Sequence, residues 1–124
     1  MTRDSFLNRD KKKGTFSHRR APKQEREIAQ RIGGRVTVAS GAKLFEKGDA
    51  RRKRVVRVEA KTTKNRSFSV TVEMVRKIED AALSSDEMPV IVVELNNADP
   101  RQRVSVAVVP LYVLDMLSAQ DDHE

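Results

Sequence analysis

Three acidic residues and one lysine, Glu25, Asp49, Glu59 and Lys61, are spaced so that a small fold can bring them together. Carboxylates are ligands for hard divalent cations, and magnesium keeps several of its waters, so two or three acidic ligands are enough to hold it. One or two cations held in this way neutralise charge on a phosphate and lower the pKa of an attacking water. A lysine on the same face orients that water, and the chemistry indicated is phosphodiester hydrolysis. Glu59-Ala60-Lys61 has little meaning by itself in a chain with 35% charged residues, because Asp10-Lys11-Lys12 matches the same acid-x-Lys pattern. Its weight comes from context: it ends an alternating valine strand, an Asp precedes it by one hairpin, and a helix with an inward Glu comes before both. The alternative is an ordinary exposed Glu–Lys pair on a strand.

The elements that would position these residues follow from periodicity. Ala21 to Ile32 is predicted as a helix, with Pro22 in its first turn and Gly33-Gly34 as its stop. At about 100° per residue, Glu25, Ile28, Ala29 and Ile32 share one face and Arg26, Glu27, Gln30 and Arg31 the other. An inward Glu25 needs a cation or a metal beside it. Arg35 to Ala39 reads as a short strand, followed by a loop from Ser40 to Gly48, and Asp49 opens a basic hairpin over Ala50 to Arg54. From Arg54 to Lys61, Val56, Val58 and Ala60 alternate with Val55, Arg57, Glu59 and Lys61, so Glu59 and Lys61 project side by side. A strand is expected around Ser67 to Thr71, and Thr71 then caps a helix with Val72, Val75, Ile78 and Ala82 as apolar positions, ending near Ser84-Ser85. Val90 to Leu95 reads as a strand buried on both faces, Arg103 to Val109 as another, and Pro110 starts a last helix through about Leu117. The order α-β-β-β-α-β-β-α makes an α/β fold with helices packed against a sheet.

A chain of 124 residues fits one domain and one site. Without cysteine there are no disulfides or thiolate metal sites, and His18 and His123 lie in terminal segments, which argues against zinc. No apolar run is long enough for a membrane span or a signal segment, so a cytoplasmic location is expected. The net charge of +7 points to a polyanionic partner. Of 25 Lys and Arg and 18 Asp and Glu, residues 1–24 hold eight cations and two acids, so six of the seven net charges sit there. The expected organisation is a basic, flexible arm over 1–20, a domain over 21–119 and an acidic tail over 120–124. The arm also reads as a plain solubilising segment.

The run Gln24-Glu25-Arg26-Glu27-Ile28 resembles the opening helix of archaeal Holliday-junction resolvases. Ala39-Ser40-Gly41, Asp49 and Val58-Glu59-Ala60-Lys61 resemble the PD-(D/E)xK core of the same family. The resemblance spans about residues 20–110 and implies a restriction-endonuclease-like mixed central sheet flanked by helices. It implies that Glu25, Asp49, Glu59 and the Ala60 backbone carbonyl hold Mg2+, with Mn2+ able to substitute. It further implies that Lys61 orients the nucleophilic water, that Ser40 lies near the scissile phosphate, and that no small-molecule cofactor is used. Relatives of this kind are homodimers that place paired nicks in four-way DNA junctions. The chain departs from the family at Gly48, where the class has proline, and at Ala50-Arg51, where bulky apolar residues are usual, so a very short Asp49 strand is expected.

DNA contacts are expected from Arg51, Arg52, Lys53 and Arg54 in the hairpin, and from Lys11, Lys12, Lys13, Arg19 and Arg20 in the arm. The hairpin cluster also reads as a solvated turn. Aromatic residues are few, which favours duplex-backbone contact over base stacking, although Phe6 and Phe16 in the arm can serve as wedges. A PD-(D/E)xK nuclease for another DNA structure in repair or restriction, and a noncatalytic DNA-binding protein, stand as alternatives. An RNA-binding role fits the charge but leaves the three acids without purpose.

Overall fold

A computed structural model of the chain describes residues 15–37 and 49–119. The elements are α1 (Phe16–Ile32), β1 (Arg35–Val36), β2 (Ala50–Arg52), β3 (Val56–Thr63), α2 (Val72–Leu83), β4 (Met88–Leu95), β5 (Val104–Val108) and α3 (Leu111–Ala119), with a 3-10 turn at Pro100–Gln102. The protein is α/β, with a five-stranded mixed sheet in the order β1-β2-β3-β4-β5. Only β3 and β4 are parallel, as the crossover through α2 requires, and the other three pairings are antiparallel. Expected positions that fall on Lys11, Lys12, Lys13, Ser40, Phe6 and the 120–124 tail lie outside the described residues.

Two apolar clusters cover opposite faces of the sheet. Ile28 and Ala29 of α1 pack with Ala50 and Val58, while Ile78 of α2 packs with Ile91 and Val93. Val58 pairs with Val90 and Glu59 with Ile91, and strand neighbours point to opposite sides, so the second cluster shares its face with Glu59 and Lys61. The alternation read from the sequence over Val56 to Lys61 is the one observed. Val72 departs from its expected inward position and is 60% exposed, since it sits in the first turn of α2, beyond the packed stripe. Thr71 caps α2 as expected, accepting a hydrogen bond from the Met74 N–H at 3.2 Å.

Two elements differ from expectation. α1 begins at Phe16, capped by Thr15, and runs through Pro22 rather than starting there. An interior proline costs a helix about 3 kcal/mol or more, and tertiary bonds on the extra turns offset it: Ser17 Oγ donates to the Thr62 carbonyl at 3.0 Å, and the Arg20 guanidinium donates to Glu94 at 2.9 and 2.8 Å. Residues 15–20 are therefore the cap and opening turns of a helix, not part of a flexible arm. The stretch Ser67–Thr71 is not a strand, and the very short strand expected at Asp49 is Ala50–Arg52, three residues long. The expected element order thus holds with one strand exchanged. α1 ends at Gly33, whose φ of 68° needs no side chain, and Gly34 follows so close to the Arg51 carbonyl that any Cβ there would overlap it.

Glu94 is the buried anchor of α1. Burial opposes its charge, but hydrogen bonds from Arg20, Thr62 and Asn96 outweigh that and lower its pKa to about 2. A carboxylate depressed in the fold contributes stability above the unfolded pKa near 4.5 and loses it as pH falls toward 2. Glu94→Gln should therefore cost about 1–3 kcal/mol at pH 7. The gap to the wild type should narrow as the pH is lowered through that window, as measured by urea unfolding.

Candidate active site

Asp49 stands one position before the β2–β3 pairing, which sets Ala50 opposite Val58, and is therefore opposite Glu59. Its backbone is fixed on both sides: its N–H donates to the Val58 carbonyl at 2.8 Å and its carbonyl accepts from Thr37 at 3.1 Å. Its carboxylate accepts the Ala60 N–H at 2.7 Å. In an extended strand the N–H and carbonyl of one residue point to the same edge, so the Ala60 carbonyl also faces the Asp49 side. Glu59 is buried, and Lys61 Nζ lies 3.3 Å from its Oε2.

α1 delivers Glu25 to the same region. Burial raises the Glu25 pKa, and the charges of Asp49 and Glu59 raise it further, against Arg26. The Asp49 pKa is also raised, first by burial and then by Glu59, against the Ala60 N–H, Lys61 and Lys77. These shifts are the signature of desolvated like charges short of cations. Among the described residues, however, no three His, Cys, Asp or Glu side chains are gathered closely enough to hold a metal ion. The elements place Glu25, Asp49, Glu59 and Lys61 in one neighbourhood without closing the acids into a cage.

Two contributors were not read from the sequence. Gln24 is buried, and its Nε2 donates to the Lys61 carbonyl at 2.8 Å, tying α1 to the end of β3 that carries Glu59 and Lys61. Its Oε1 is buried without a partner among the described residues. The available signal was its position four before Ile28, on the same stripe. Lys77 of α2 acts on Asp49, and nothing local in the sequence marks it.

The hairpin departs from expectation. Arg51 is buried and its guanidinium is ion-paired with Glu87, which also binds Arg57 at 2.8 Å and the Arg54 N–H at 3.1 Å. It is therefore not available to a phosphate. Arg52, Lys53 and Arg54 are exposed, yet at about 3.3 Å per strand residue Arg54 lies roughly 16 Å along the chain from Glu59. The tip is at the far end of β3 from the acids and not beside them. Arg20 is likewise occupied, by Glu94 and Glu27, whereas Arg19 is exposed. Phe16 is half-buried as the first residue of α1.

No protein-family model, curated protein or solved structure matches this chain. Among the described residues no helix is long and apolar enough to cross a membrane.

Asp49→Asn keeps an acceptor for the Ala60 N–H while removing a desolvated charge that Glu25 and Glu59 repel. It should raise stability at pH 7 by on the order of 0.5–1 kcal/mol. A raised carboxylate pKa destabilises the fold above that pKa, so the gain should vanish as pH falls below the unfolded value of 3.8. Urea midpoints of both proteins across that range check the sign.

Proposed function

We propose that this chain is a metal-dependent DNA endonuclease of the PD-(D/E)xK class that cuts four-way junctions as a homodimer. The observation that carries the reading is the placement of Asp49 opposite Glu59, with Lys61 at 3.3 Å from Glu59 and Glu25 brought to them by a helix. The five-stranded mixed sheet is compatible with a restriction-endonuclease-like fold.

The donor set suits Mg2+ or Mn2+: all its ligands are oxygens, and the raised pKa values of Glu25 and Asp49 mark a site where added positive charge is favourable. Asp49, Glu59 and the Ala60 carbonyl would hold the ion, with Glu25 completing the set. When bound, the cation neutralises phosphate charge and acidifies water. Lys61 orients the attacking water with its ammonium and balances Glu59, and Gln24 fixes the strand end from which Lys61 projects. A DNA-binding protein without hydrolytic activity is the second reading, favoured by the acids not being gathered in threes among the described residues.

The test is incubation with labelled four-way junction, duplex, flap and single strand, with and without magnesium. Junction nicking is expected only with the metal. Glu59→Ala, Asp49→Ala and Lys61→Met should each lower it by about 100-fold or more while junction binding persists. Binding without cleavage in the wild type would select the second reading.

Two strands must be cut to resolve a junction, and one small domain offers one site, so the working unit holds two copies. α3 supplies the surface. Leu111 is 74% exposed, Leu114 54% and Leu117 50%, whereas Val113 is buried and anchors the helix to its own fold. Asp115 is the one charged residue in α3, so two copies can meet there with little like-charge repulsion. The wild type should sediment as a dimer and Leu114→Glu as a monomer. A monomeric wild type would remove this assignment.

A further inference from the structure

The end of the sheet beyond the acids opens into a cleft of about 560 Å³. β3 leads to it: Thr63 follows Lys61 by two residues, about 7 Å along the strand, and shares its face. One wall is the opening of α1, where Phe16 and Arg19, three residues apart, share one side of the helix. The other is the turn after β3, with Lys64 and Asn65. Both walls are held from within. Ser17 Oγ donates to the Thr62 carbonyl at 3.0 Å, the Asn65 N–H donates to Thr63 Oγ1 at 3.1 Å, and the Lys64 carbonyl accepts the Ala98 N–H at 2.6 Å.

The side chains of the cleft suit a nucleotide. Arg19 and Lys64 are exposed, and neither forms an ion pair among the described residues. No acid is among the described residues that line the cleft, and the nearby Asp99 is held by Arg101 at 3.3 Å. Phe16 is half-buried and adds an aromatic ring to the wall that carries Arg19. Bases in a duplex already stack on one another, whereas an unpaired base offers its face to an aromatic side chain, whatever its sequence. Two unpaired cations beside one ring fit a phosphate chain with a base turned inward. We infer that this cleft seats an unpaired stretch of nucleic-acid strand, with Phe16 stacking on a base and Arg19 and Lys64 taking the phosphates that flank it. That the strand is DNA and continues over Thr63 to the acids rests on the nuclease reading; the binding itself does not.

The experiment measures affinity for a short labelled oligothymidylate, and for a duplex of the same length, in EDTA across a range of KCl concentrations. Phe16→Leu keeps apolar bulk and removes the ring. It should weaken single-strand binding by about 10-fold and leave duplex affinity unchanged, and Phe16→Trp should restore the wild-type value. Arg19→Ala and Lys64→Ala should each reduce the slope of log affinity against log salt by about 0.7, the value for one phosphate on a single strand. Arg76→Ala, which removes an exposed cation of α2 that does not line the cleft, should leave the slope unchanged. Thermal melting establishes that the variants are folded. Single-strand affinity unchanged in Phe16→Leu overturns the proposal, even in a protein that cleaves junctions with magnesium, and so does an equal loss on duplex. A slope unchanged in both Arg19→Ala and Lys64→Ala, or reduced as far in Arg76→Ala, also overturns it. The expected pattern in a wild type that never cleaves keeps the cleft and removes the nuclease reading.

Discussion

The carboxylate of Glu94 sits where the opening helix meets the middle of the sheet, and almost everything about the candidate site depends on its occupancy. Arg20 reaches it from α1, Thr62 from β3 and Asn96 from the turn after β4, with Arg103 3.8 Å away. A buried ion pair is weak evidence for stability, because desolvation consumes most of what Coulomb attraction returns. Its value here is positional. Arg20 and Ser17 fix the axial placement of α1, Gln24 fixes its approach to β3, and Glu25 follows as the next residue on the same helix.

The parts of the structure legible in the sequence are those in which period and burial coincide. Val56, Val58 and Ala60 alternate with Arg57, Glu59 and Lys61 in both sequence and fold, and Thr71 caps α2 from a pattern of four residues. The opening turns of α1 were hidden because Pro22 is a good first-turn residue, and only the distant Glu94, 74 positions from Arg20, justifies a helix that passes through it. Ser67–Thr71 has strand-like composition but no sheet neighbour, and Ala50–Arg52 has the composition of a solvated turn yet pairs on both sides. Pairing is a property of partners, and composition does not carry it. The same limit explains Arg51, which four consecutive basic residues mark as exposed until a single carboxylate 36 positions further on claims it.

The acids show the usual tension between a site and its scaffold. Glu25 and Asp49 are held partly out of water and within reach of each other's charge, a costly arrangement that an apolar or amide substitution would relieve. Lys61, Arg26 and Lys77, from a strand and two helices, offset that cost only in part.

Glu87 has a consequence for how the chain can assemble. Its carboxylate binds Arg51 and Arg57 and receives the Arg54 N–H, partners 36, 30 and 33 positions away in sequence. Arg54 also holds a left-handed backbone, with φ at 64°, that a side chain ordinarily avoids. In the folded protein Glu87 supplies a counter-charge for the buried Arg51 and Arg57 and receives the N–H of the left-handed turn residue Arg54. The hairpin in its buried form therefore depends on the loop bearing Glu87. Because α2 lies between the two, one carboxylate ties the antiparallel ribbon to the chain that follows the crossover helix. Local turn preference alone does not hold this hairpin in place, and closing the loop of about thirty residues between it and Glu87 carries an entropy cost that the ion pairs offset only once they form.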